Sequence, residues 1–373
     1  MKKVWSMLLA ASFMVSLTGC GGKAEPAQVA TTAPATTAAQ AEKESKAAEG
    51  TAAKEPVSED VIVLKFADTE VPGMPEYDGN LYFIELVEKN SNGRIKIEYY
   101  PNNQLGGDKE IAGALMAGTV DIGKCAAGNL ADWTDAAAFT DIPGVYKNAG
   151  QMRSVWQSDL REEVTRLIKE DMGLTPVMFD CDGGAARALF YNGNKEIHVP
   201  DDCKGLKFRT TGSDIEMALF QQVGIAPTPM AFTELYTGLQ QGTIDGIYTH
   251  PAGTYGNKLC EVTDYCTIIN LSYITTFKLL SEKAVEKLGG EGSELYNIVV
   301  EAGREAEVHK DELIAANNEK IDEMMAEEGV TIIRVTPEEQ KLWNEAAQAI
   351  WPKFIGEGKM VDQGLFDRVA AME

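Results

Sequence analysis

Two blocks of alternating strand and helix patterns constrain the fold of this chain more than any other feature of the sequence. In the first block, short β-branched or alternating runs are separated by stretches with apolar residues at helical spacing, in the order strand 61–67, helix 81–88, strand 94–100, helix 109–117 and strand 120–124. The same alternation returns between 206 and 248. This order is typical of α/β domains with largely parallel sheets. Two such blocks predict two lobes, with a cleft between them at the carboxyl ends of the strands.

The last third of the sequence predicts long helices. Ser293 is positioned to cap a helix whose apolar stripe continues until Gly329 ends it. The segment TPEE at 336–339 is a capping box with proline in the first helical turn. We expect the apolar and aromatic side chains of these helices to pack in the core.

The N-terminus carries the pattern of an export signal. Lys2 and Lys3 precede an apolar run at 7–17, which is too short to span a bilayer. The run ends in Leu-Thr-Gly-Cys, which resembles the lipobox of bacterial lipoproteins, where cleavage leaves Cys20 as the diacylated N-terminus. The sequence therefore predicts a signal peptide at 1–19 and lipidation of Cys20. An ordinary signal peptide followed by an incidental cysteine is the alternative.

Residues 20–60 are predicted to be a lipid-anchored flexible linker. Ala, Thr, Glu, Lys, Gly and Pro dominate from 21 onward, and no aromatic residue occurs there. Such a segment cannot bury enough apolar surface to offset the entropy lost on ordering. No second long apolar stretch follows. We therefore expect an extracytoplasmic protein on the outer face of the cytoplasmic membrane, which would be periplasmic in a Gram-negative cell.

The charge of the chain excludes some classes of partner. There are 57 acidic and 34 basic residues, which give a net charge of −23. A field of this sign repels nucleic acid, so no nucleic-acid partner is expected. The three histidines of the sequence, at 198, 250 and 309, form no metal-binding pattern. We therefore expect neither a metal site nor another cofactor.

The cysteines beyond Cys20 leave two interpretations open. Export permits disulfides, and the cysteine pairs 260–266 and 181–203 have suitable spacing. Cys125 would then remain unpaired. Alternatively, all five are buried free thiols that behave as small apolar residues. No CxxC motif occurs, so a thiol-redox role is not expected.

Three segments of the second block resemble a known family as a set. They are PDDCKGLKFR at 200–209, APTPMAFTELY at 226–236 and LQQGTIDG at 239–246. They are similar to the P-x-D-[LM]-K-G-[LM]-K-[ILF]-R, P-x-P-M-x-[FW]-[ST]-E-[VL]-Y and A-L-Q-x-G-x-[VI]-D-G motifs of the substrate-binding subunits of TRAP transporters, the DctP-type extracytoplasmic solute receptors. Shorter matches occur at 91–94, 104–106, 118–122 and 141–143, and the resemblance covers roughly 61–350 in the expected order.

The resemblance implies a two-lobed, periplasmic-binding-protein-like fold of the class II type, with the ligand cleft between the lobes and long C-terminal helices. We expect one lobe to comprise 61–184 and about 275–312, and the other 185–274 and about 313–373. The family captures small organic acids, most often carboxylates, and delivers them to permease subunits driven by an ion gradient. It does so by reversible binding, without covalent chemistry or a cofactor.

Several residues are candidates for ligand contact through this resemblance. Arg209 ends the K-G-L-K-x-R strand, where the family's arginine binds the ligand carboxylate through parallel hydrogen bonds. Arg187 stands near the place of a second family arginine, and Phe232 falls at an aromatic wall position. A surface ion pair for Arg209 and a core position for Phe232 are the alternatives. The remaining candidates follow strand ends or departures from the motifs: Asp68, Thr69, Asn129, Tyr248, Thr249 and His250.

Departures from the motifs affect the predicted ligand. Many relatives read D-G-x-x-N-P, whereas here one more residue precedes the proline and no asparagine occurs, so Tyr248, Thr249 or His250 would face the cleft. The stretch that leads to Asn129 lacks the acidic residue of sialic-acid-binding relatives, which disfavours sialic acid.

Two other functions are the alternatives to such a receptor. The substrate-binding lipoprotein of an ABC-type importer shares the two-lobed architecture, and neighbouring genes for ion-gradient permease subunits would separate the two. A secreted enzyme that acts on organic acids is disfavoured, because the sequence has no nucleophile elbow, phosphate loop or metal cluster. We therefore predict a receptor and no enzyme.

Overall fold

A computed structural model describes residues 61–372, and within them the strands form two sheets. The strands are β1 Ile62–Ala67, β2 Ile95–Tyr100, β3 Ile122–Ala126, β4 Thr175–Asp182, β5 Ala188–Tyr191, β6 Lys207–Thr210, β7 Ala226–Pro229, β8 Gly246–Thr249, β9 Tyr265–Ile268, β10 Ile274–Leu280 and β11 Thr331–Arg334. The α-helices are α1 Pro75–Asn90, α2 Asp108–Met116, α3 Ala149–Trp156, α4 Leu160–Met172, α5 Asp214–Gln222, α6 Leu235–Gln240, α7 Pro251–Gly256, α8 Glu282–Lys287, α9 Glu294–Asn318, α10 Ile321–Glu327, α11 Pro337–Gln348, α12 Trp351–Phe354 and α13 Gln363–Ala370.

Each sheet contains one strand that runs against its neighbours. The first sheet has the order β2-β1-β3-β10-β4, and β10 is antiparallel to both β3 and β4. The second has the order β11-β9-β5-β8-β6-β7, and β5 is antiparallel to both β8 and β9. The chain enters β10 directly from β9 of the second sheet, and it enters β5 directly from β4 of the first sheet. The carboxyl ends of the remaining strands therefore meet at one edge of each sheet.

Apolar residues bury the faces of both sheets against helices. On the first sheet, Phe66 of β1 packs with Phe83 of α1 and Val299 of α9. On the second, Ile247 of β8 packs with Leu235 of α6 and Met325 of α10. The two-lobed α/β fold with C-terminal helices expected from the sequence is thus confirmed. The exact lobe bounds stay a prediction.

The C-terminal segment contacts helices of both sheets. Helix α11 lies against α5, which follows β6 of the second sheet. Farther on, Gln151 of α3 donates to the carbonyl oxygens of Val369 and Met372, at 3.2 and 2.8 Å. Arg368 of α13 pairs with Glu163 of α4 at 2.9 Å. Because α3 and α4 pack on β4, α13 contacts helices of the first sheet, whereas α11 contacts a helix of the second.

The helix ends follow the predicted caps, with one interruption that the sequence pattern does not reveal. Ser293 caps α9 by accepting from the backbone N–H of Tyr296, and Thr336 forms the predicted capping box with Glu339. The helix expected to continue to Gly329 is interrupted at Glu319 and Lys320, where α9 ends and α10 begins. Helix α6 is preceded directly by a short 3-10 turn at Phe232–Glu234.

Each of the five cysteines within the described residues is buried and unpaired. Neither of the two pairings considered from the spacing is formed. Burial raises the pKa of Cys260 to about 11, so the thiol stays protonated at neutral pH. Cys20, the predicted signal peptide and the predicted linker lie outside the described residues.

Within residues 61–372, no helix combines the length and the apolar character that crossing a bilayer requires.

Candidate functional site

A cavity lies where strand ends of the two sheets come together. It contains about 590 Å³ of space free of protein atoms, part of it continuous with solvent. The first sheet contributes residues that follow β1, β3 and β4, and the second contributes residues that end or follow β6 and β8. All the predicted ligand contacts except Asp68 line this cavity, namely Thr69, Asn129, Arg187, Arg209, Phe232, Tyr248, Thr249 and His250.

Arg209 is a buried cation with few internal partners. It is 5% exposed, and its Nε donates to the carbonyl oxygen of Met230 at 2.9 Å, which is its one hydrogen bond within residues 61–372. The guanidinium carbon is 5.9 Å from the centre of the Phe232 ring. Burial lowers the pKa of Arg209 from its ordinary value and the neighbouring charge of Arg187 acts in the same direction, while the more distant carboxylates of Glu216 and Asp108 offset part of the shift. An anion in the cavity would relieve both effects.

Arg187 lines the same cavity but already has carboxylate partners. Its Nη1 donates to Glu216 at 2.8 Å, and Nη2 is 3.7 Å from Asp141. Its guanidinium also lies over the ring of Tyr248, 5.5 Å from the centre. Burial alone would lower the pKa of Arg187, but the two carboxylates raise it. The charge of Arg187 is therefore compensated inside the protein.

Lys124 is the cation of the first-sheet wall. Its Nζ donates to Thr69 Oγ1 at 3.0 Å and lies 3.2 Å from Glu70 Oε1 and 3.5 Å from Asp182 Oδ2. Burial alone would lower the pKa of Lys124, but Glu70, Asp182 and other carboxylates raise it well above its ordinary value. Lys124 thus stays charged in an acidic environment.

Asp68 is placed behind the cavity wall instead of in it. Its Oδ1 accepts from the backbone N–H groups of Thr69 and Glu70, at 2.7 and 3.1 Å. Its Oδ2 accepts from Asn80 and from the Tyr99 hydroxyl. Burial raises the pKa of Asp68 to about 6. These bonds fix the loop after β1, so Asp68 positions Thr69 and Glu70.

The residues at the end of β8 present different groups to the cavity. Tyr248 shares a hydrogen bond of 2.9 Å with the Ser272 hydroxyl. His250 caps α7, because its Nδ1 accepts from the backbone N–H of Gly253 at 3.1 Å. Burial lowers the pKa of His250, so the ring is neutral at pH 7. With Nδ1 as the acceptor, Nε2 carries the proton and is a donor.

Asn129 is held by Asp108, the first residue of α2. Asp108 Oδ2 accepts from Asn129 Nδ2 at 2.9 Å and from the backbone N–H of Ala126 at 2.7 Å. The turn after β3 is therefore attached to α2, and both side chains line the cavity.

Several side chains that line the cavity were not predicted from the sequence. They are Glu70, Asp108, Lys124, Asp182, Thr211 and Asn257. Glu70 follows β1 and Asp182 ends β4, so position at the end of a strand was the sequence signal that could have identified these two residues. Asp182 stands immediately before Gly183 and Gly184, both in the left-handed region.

Comparisons with known proteins give one consistent result. The family model of the bacterial extracellular solute-binding proteins, family 7 (DctP), matches residues 66–357. The C4-dicarboxylate-binding periplasmic protein DctP of Rhodobacter capsulatus is 29% identical over 296 residues, which are 78% of this chain and 85% of that protein. The 2,3-diketo-L-gulonate-binding periplasmic protein YiaO of Escherichia coli is 25% identical, over 71% of this chain and 78% of that protein.

Solved structures agree in fold. A TRAP periplasmic solute-binding protein from Sulfurospirillum deleyianum with bound succinate superposes with a TM-score of 0.77 at 25% identity, and covers 84% of this chain and 99% of that one. Another from Roseobacter denitrificans with bound L-galactonate has a TM-score of 0.74 at 24% identity, and covers 83% and 97%.

Proposed function

The chain belongs to the DctP family, family 7 of the bacterial extracellular solute-binding proteins, and from this premise we propose that it binds a small organic carboxylate in the cavity described above. Relatives with solved structures hold succinate or L-galactonate, each of which is an organic acid. The family is one of solute-binding proteins, and the proposed function is reversible capture without a chemical step.

Arg209 is the observation that carries the proposal. A guanidinium that is 5% exposed, with one hydrogen bond to a backbone carbonyl, retains N–H groups that can donate to a ligand. A planar carboxylate matches this geometry with two parallel hydrogen bonds. In a buried cavity such a charge-assisted pair is stronger than at a surface. Phe232, which lines the cavity, would cover the apolar part of the ligand.

We further propose that ligand binding closes the two lobes. Both sheets contribute residues to the cavity, so a bound solute would contact both lobes at once. Ligand shifts such a two-state equilibrium because it binds the closed form more tightly. The closed protein would then deliver its solute to the membrane subunits of a TRAP transporter. Acylated Cys20 would hold it at the extracytoplasmic face of the membrane.

The experiment that tests carboxylate binding combines calorimetry with thermal unfolding on the purified full chain. Mono- and dicarboxylates, keto acids, sugar acids and amino acids are screened for a rise in melting temperature. A ligand at 100 times its Kd stabilises the folded state by about 2.7 kcal/mol, which raises the melting temperature of a protein of this size by a few degrees. We expect the Arg209→Ala variant to fold and to bind the same acid at least about 30-fold more weakly.

A matched control separates the site from general loss of charge. Arg304 is exposed on α9, and Arg304→Ala removes the same side chain outside the cavity. This variant should retain the wild-type Kd. The proposal would be wrong if Arg209→Ala also retained it, or if only neutral solutes raised the melting temperature.

A further inference from the structure

The first-sheet wall of the cavity carries more acceptors than donors. Its ionisable side chains are the carboxylates of Glu70, Asp108 and Asp182 and the single ammonium of Lys124, within the described residues. The cation without a carboxylate partner, Arg209, is on the other sheet. The cavity is therefore polarised, with an anion-binding group on the second sheet and carboxylates on the first.

Two buried carboxylate oxygens of this wall lack any hydrogen bond within residues 61–372, Asp182 Oδ1 and Glu70 Oε1. Asp182 is 4% exposed, and its Oδ1 is buried and unpartnered. Its Oδ2 is 3.5 Å from the charged Lys124 Nζ and 3.9 Å from Nε2 of the neutral His250, and both distances are too long for a good hydrogen bond. A buried acceptor left in this state costs free energy. A donor supplied from within the cavity would remove that cost.

The neighbouring donors are either too far from Asp182 or already engaged, and the His250 Nε2–H, at 3.9 Å from Asp182 Oδ2, is too far. Lys124 Nζ has Thr69 Oγ1 at 3.0 Å and Glu70 Oε1 at 3.2 Å, both closer than Asp182. The Asn129 amide donates to Asp108, and the Asn257 amide donates to the carbonyl oxygen of Gly253 at 2.9 Å. The group best suited to Asp182 is thus a hydrogen-bond donor on the ligand itself.

On the basis of the proposed function, we propose that the ligand is a carboxylic acid that also carries a hydrogen-bond donor, either a hydroxyl or an ammonium group, at a distance from its carboxylate. Arg209 binds the carboxylate, and Asp182 and Glu70 accept hydrogen bonds from the donor. A plain dicarboxylate is selected against. Its second carboxylate would meet three like charges and a lysine that is already paired. The site therefore distinguishes acids by the group opposite the carboxylate.

Probes of equal length test this selection. Calorimetry compares succinate, 4-hydroxybutanoate and 4-aminobutanoate, and then the corresponding five- and six-carbon sets, together with L-galactonate as a polyhydroxy acid. For at least one chain length, or for the polyhydroxy acid, the donor-bearing compound should bind at least about tenfold more tightly than the dicarboxylate of equal length. The reason is that a hydrogen bond to a buried carboxylate replaces a repulsion between two carboxylates. The hydroxyl and ammonium arms identify which donor the wall accepts.

Two conservative variants assign the selection to the wall. Asp182→Asn and Glu70→Gln keep the size of each side chain but remove its charge, and both should reduce the preference for the donor-bearing probe about tenfold. Asp201→Asn, at an exposed carboxylate outside the cavity, is the matched control and should leave the preference unchanged. Circular dichroism and melting temperature establish that each variant is folded, and Glu70→Gln serves if Asp182→Asn does not fold.

The outcomes separate this inference from the proposed function. If Arg209→Ala loses binding while dicarboxylates bind as tightly as donor-bearing probes, the selection is refuted and carboxylate binding stands. Failure of every donor-bearing probe to bind, or an unchanged preference in Asp182→Asn and Glu70→Gln, also overturns the inference. Retained binding in Arg209→Ala overturns the proposed function itself.

Discussion

Arg209 and Arg187 lie in one cavity but differ in what compensates their charge. Arg187 has Glu216 at 2.8 Å and Asp141 at 3.7 Å, whereas Arg209 has a backbone carbonyl. Desolvation of a cation without a carboxylate partner is unfavourable unless a ligand completes the pair. Arg187 therefore shapes the wall and supports Tyr248, and Arg209 is the residue that we propose to pair with the anionic ligand.

At the residue scale, Glu76 offers a test of the acidic network behind the cavity. Burial raises the pKa of Glu76 to about 8, and the nearby Asp182 and Glu70 carboxylates add to the shift. Its Oε1 accepts from the backbone N–H of Gly183 at 2.9 Å. Because the folded state holds this proton above the pH at which the unfolded chain releases it, folding stability should fall as pH rises between about 4.5 and about 8.

The Glu76→Gln variant should remove this contribution and keep the acceptor for Gly183. We expect the decrease in unfolding free energy between pH 5 and pH 8 to become shallower, by up to roughly 1.4 kcal/mol per pH unit. Urea denaturation at a series of pH values measures this slope. Glu85→Gln, at an exposed position of the same helix, is the control and should leave the slope unchanged. An identical slope in Glu76→Gln and wild type would contradict the assignment.

Motif positions predicted the second-sheet side of the cavity, because Arg209, Phe232 and the residues after β8 belong to local segments of sequence. The acidic wall could not be found in this way. Glu70, Lys124 and Asp182 are far apart in the chain, and only the pairing of β1, β3, β10 and β4 brings them together. Likewise, the difference between Arg187 and Arg209 depends on partners that spacing does not reveal.

At the scale of elements, the close packing of α9 on β4 depends on a glycine. A Cβ at Gly303 would lie 2.4 Å from the carbonyl oxygen of Val177 and 3.0 Å from the side chain of Met178. A backbone atom cannot move aside as a flexible side chain can. We expect Gly303→Ala to destabilise the protein by about 1–3 kcal/mol through overpacking, seen as a lower urea midpoint.

The matched substitution is Gly113→Ala in α2, where a Cβ would have no atom within 4 Å apart from the adjacent residues and the backbone of its own helix. Alanine loses less backbone entropy than glycine in a helix, so this variant should gain about 0.4–1 kcal/mol. Equal midpoints for the two variants would show that helix propensity, and not the approach of α9 to β4, governs the effect at Gly303.

Local signals predicted the elements more reliably than the breaks between them. The caps at Ser293 and Thr336 are chemical features of one or two residues, and both were confirmed. The interruption at Glu319 and Lys320 has no glycine or proline to mark it, so the periodic pattern ran through it. The packing of α13 against α3 and α4 is a tertiary contact, and the periodicity of apolar residues within a helix does not encode such contacts.

At the scale of the whole molecule, the two chain crossings determine where the cavity lies. The chain leaves β4 for β5 at 183–187 and leaves β9 for β10 at 269–273. Asp182 precedes the first crossing, Arg187 is its last residue and Ile274 follows the second crossing, and all three line the cavity. The repeated α/β blocks predicted two lobes and a site at the strand ends. They did not predict that residues of the crossings would form part of that site.

Membrane attachment through Cys20 is a prediction that concerns the whole molecule. A net charge of −23 opposes binding to anionic lipid, so we propose that attachment comes from the acyl chains predicted on Cys20. We expect the wild-type protein to sediment with membranes, to resist a high-salt wash and to incorporate a labelled fatty acid, because a multi-chain anchor is apolar and salt screens only charges. Cys20→Ser should lose the label and move to the soluble extracytoplasmic fraction, while Thr31→Ser, in the predicted linker, should behave as the wild type. Continued sedimentation of an unlabelled Cys20→Ser protein would require a different mode of attachment.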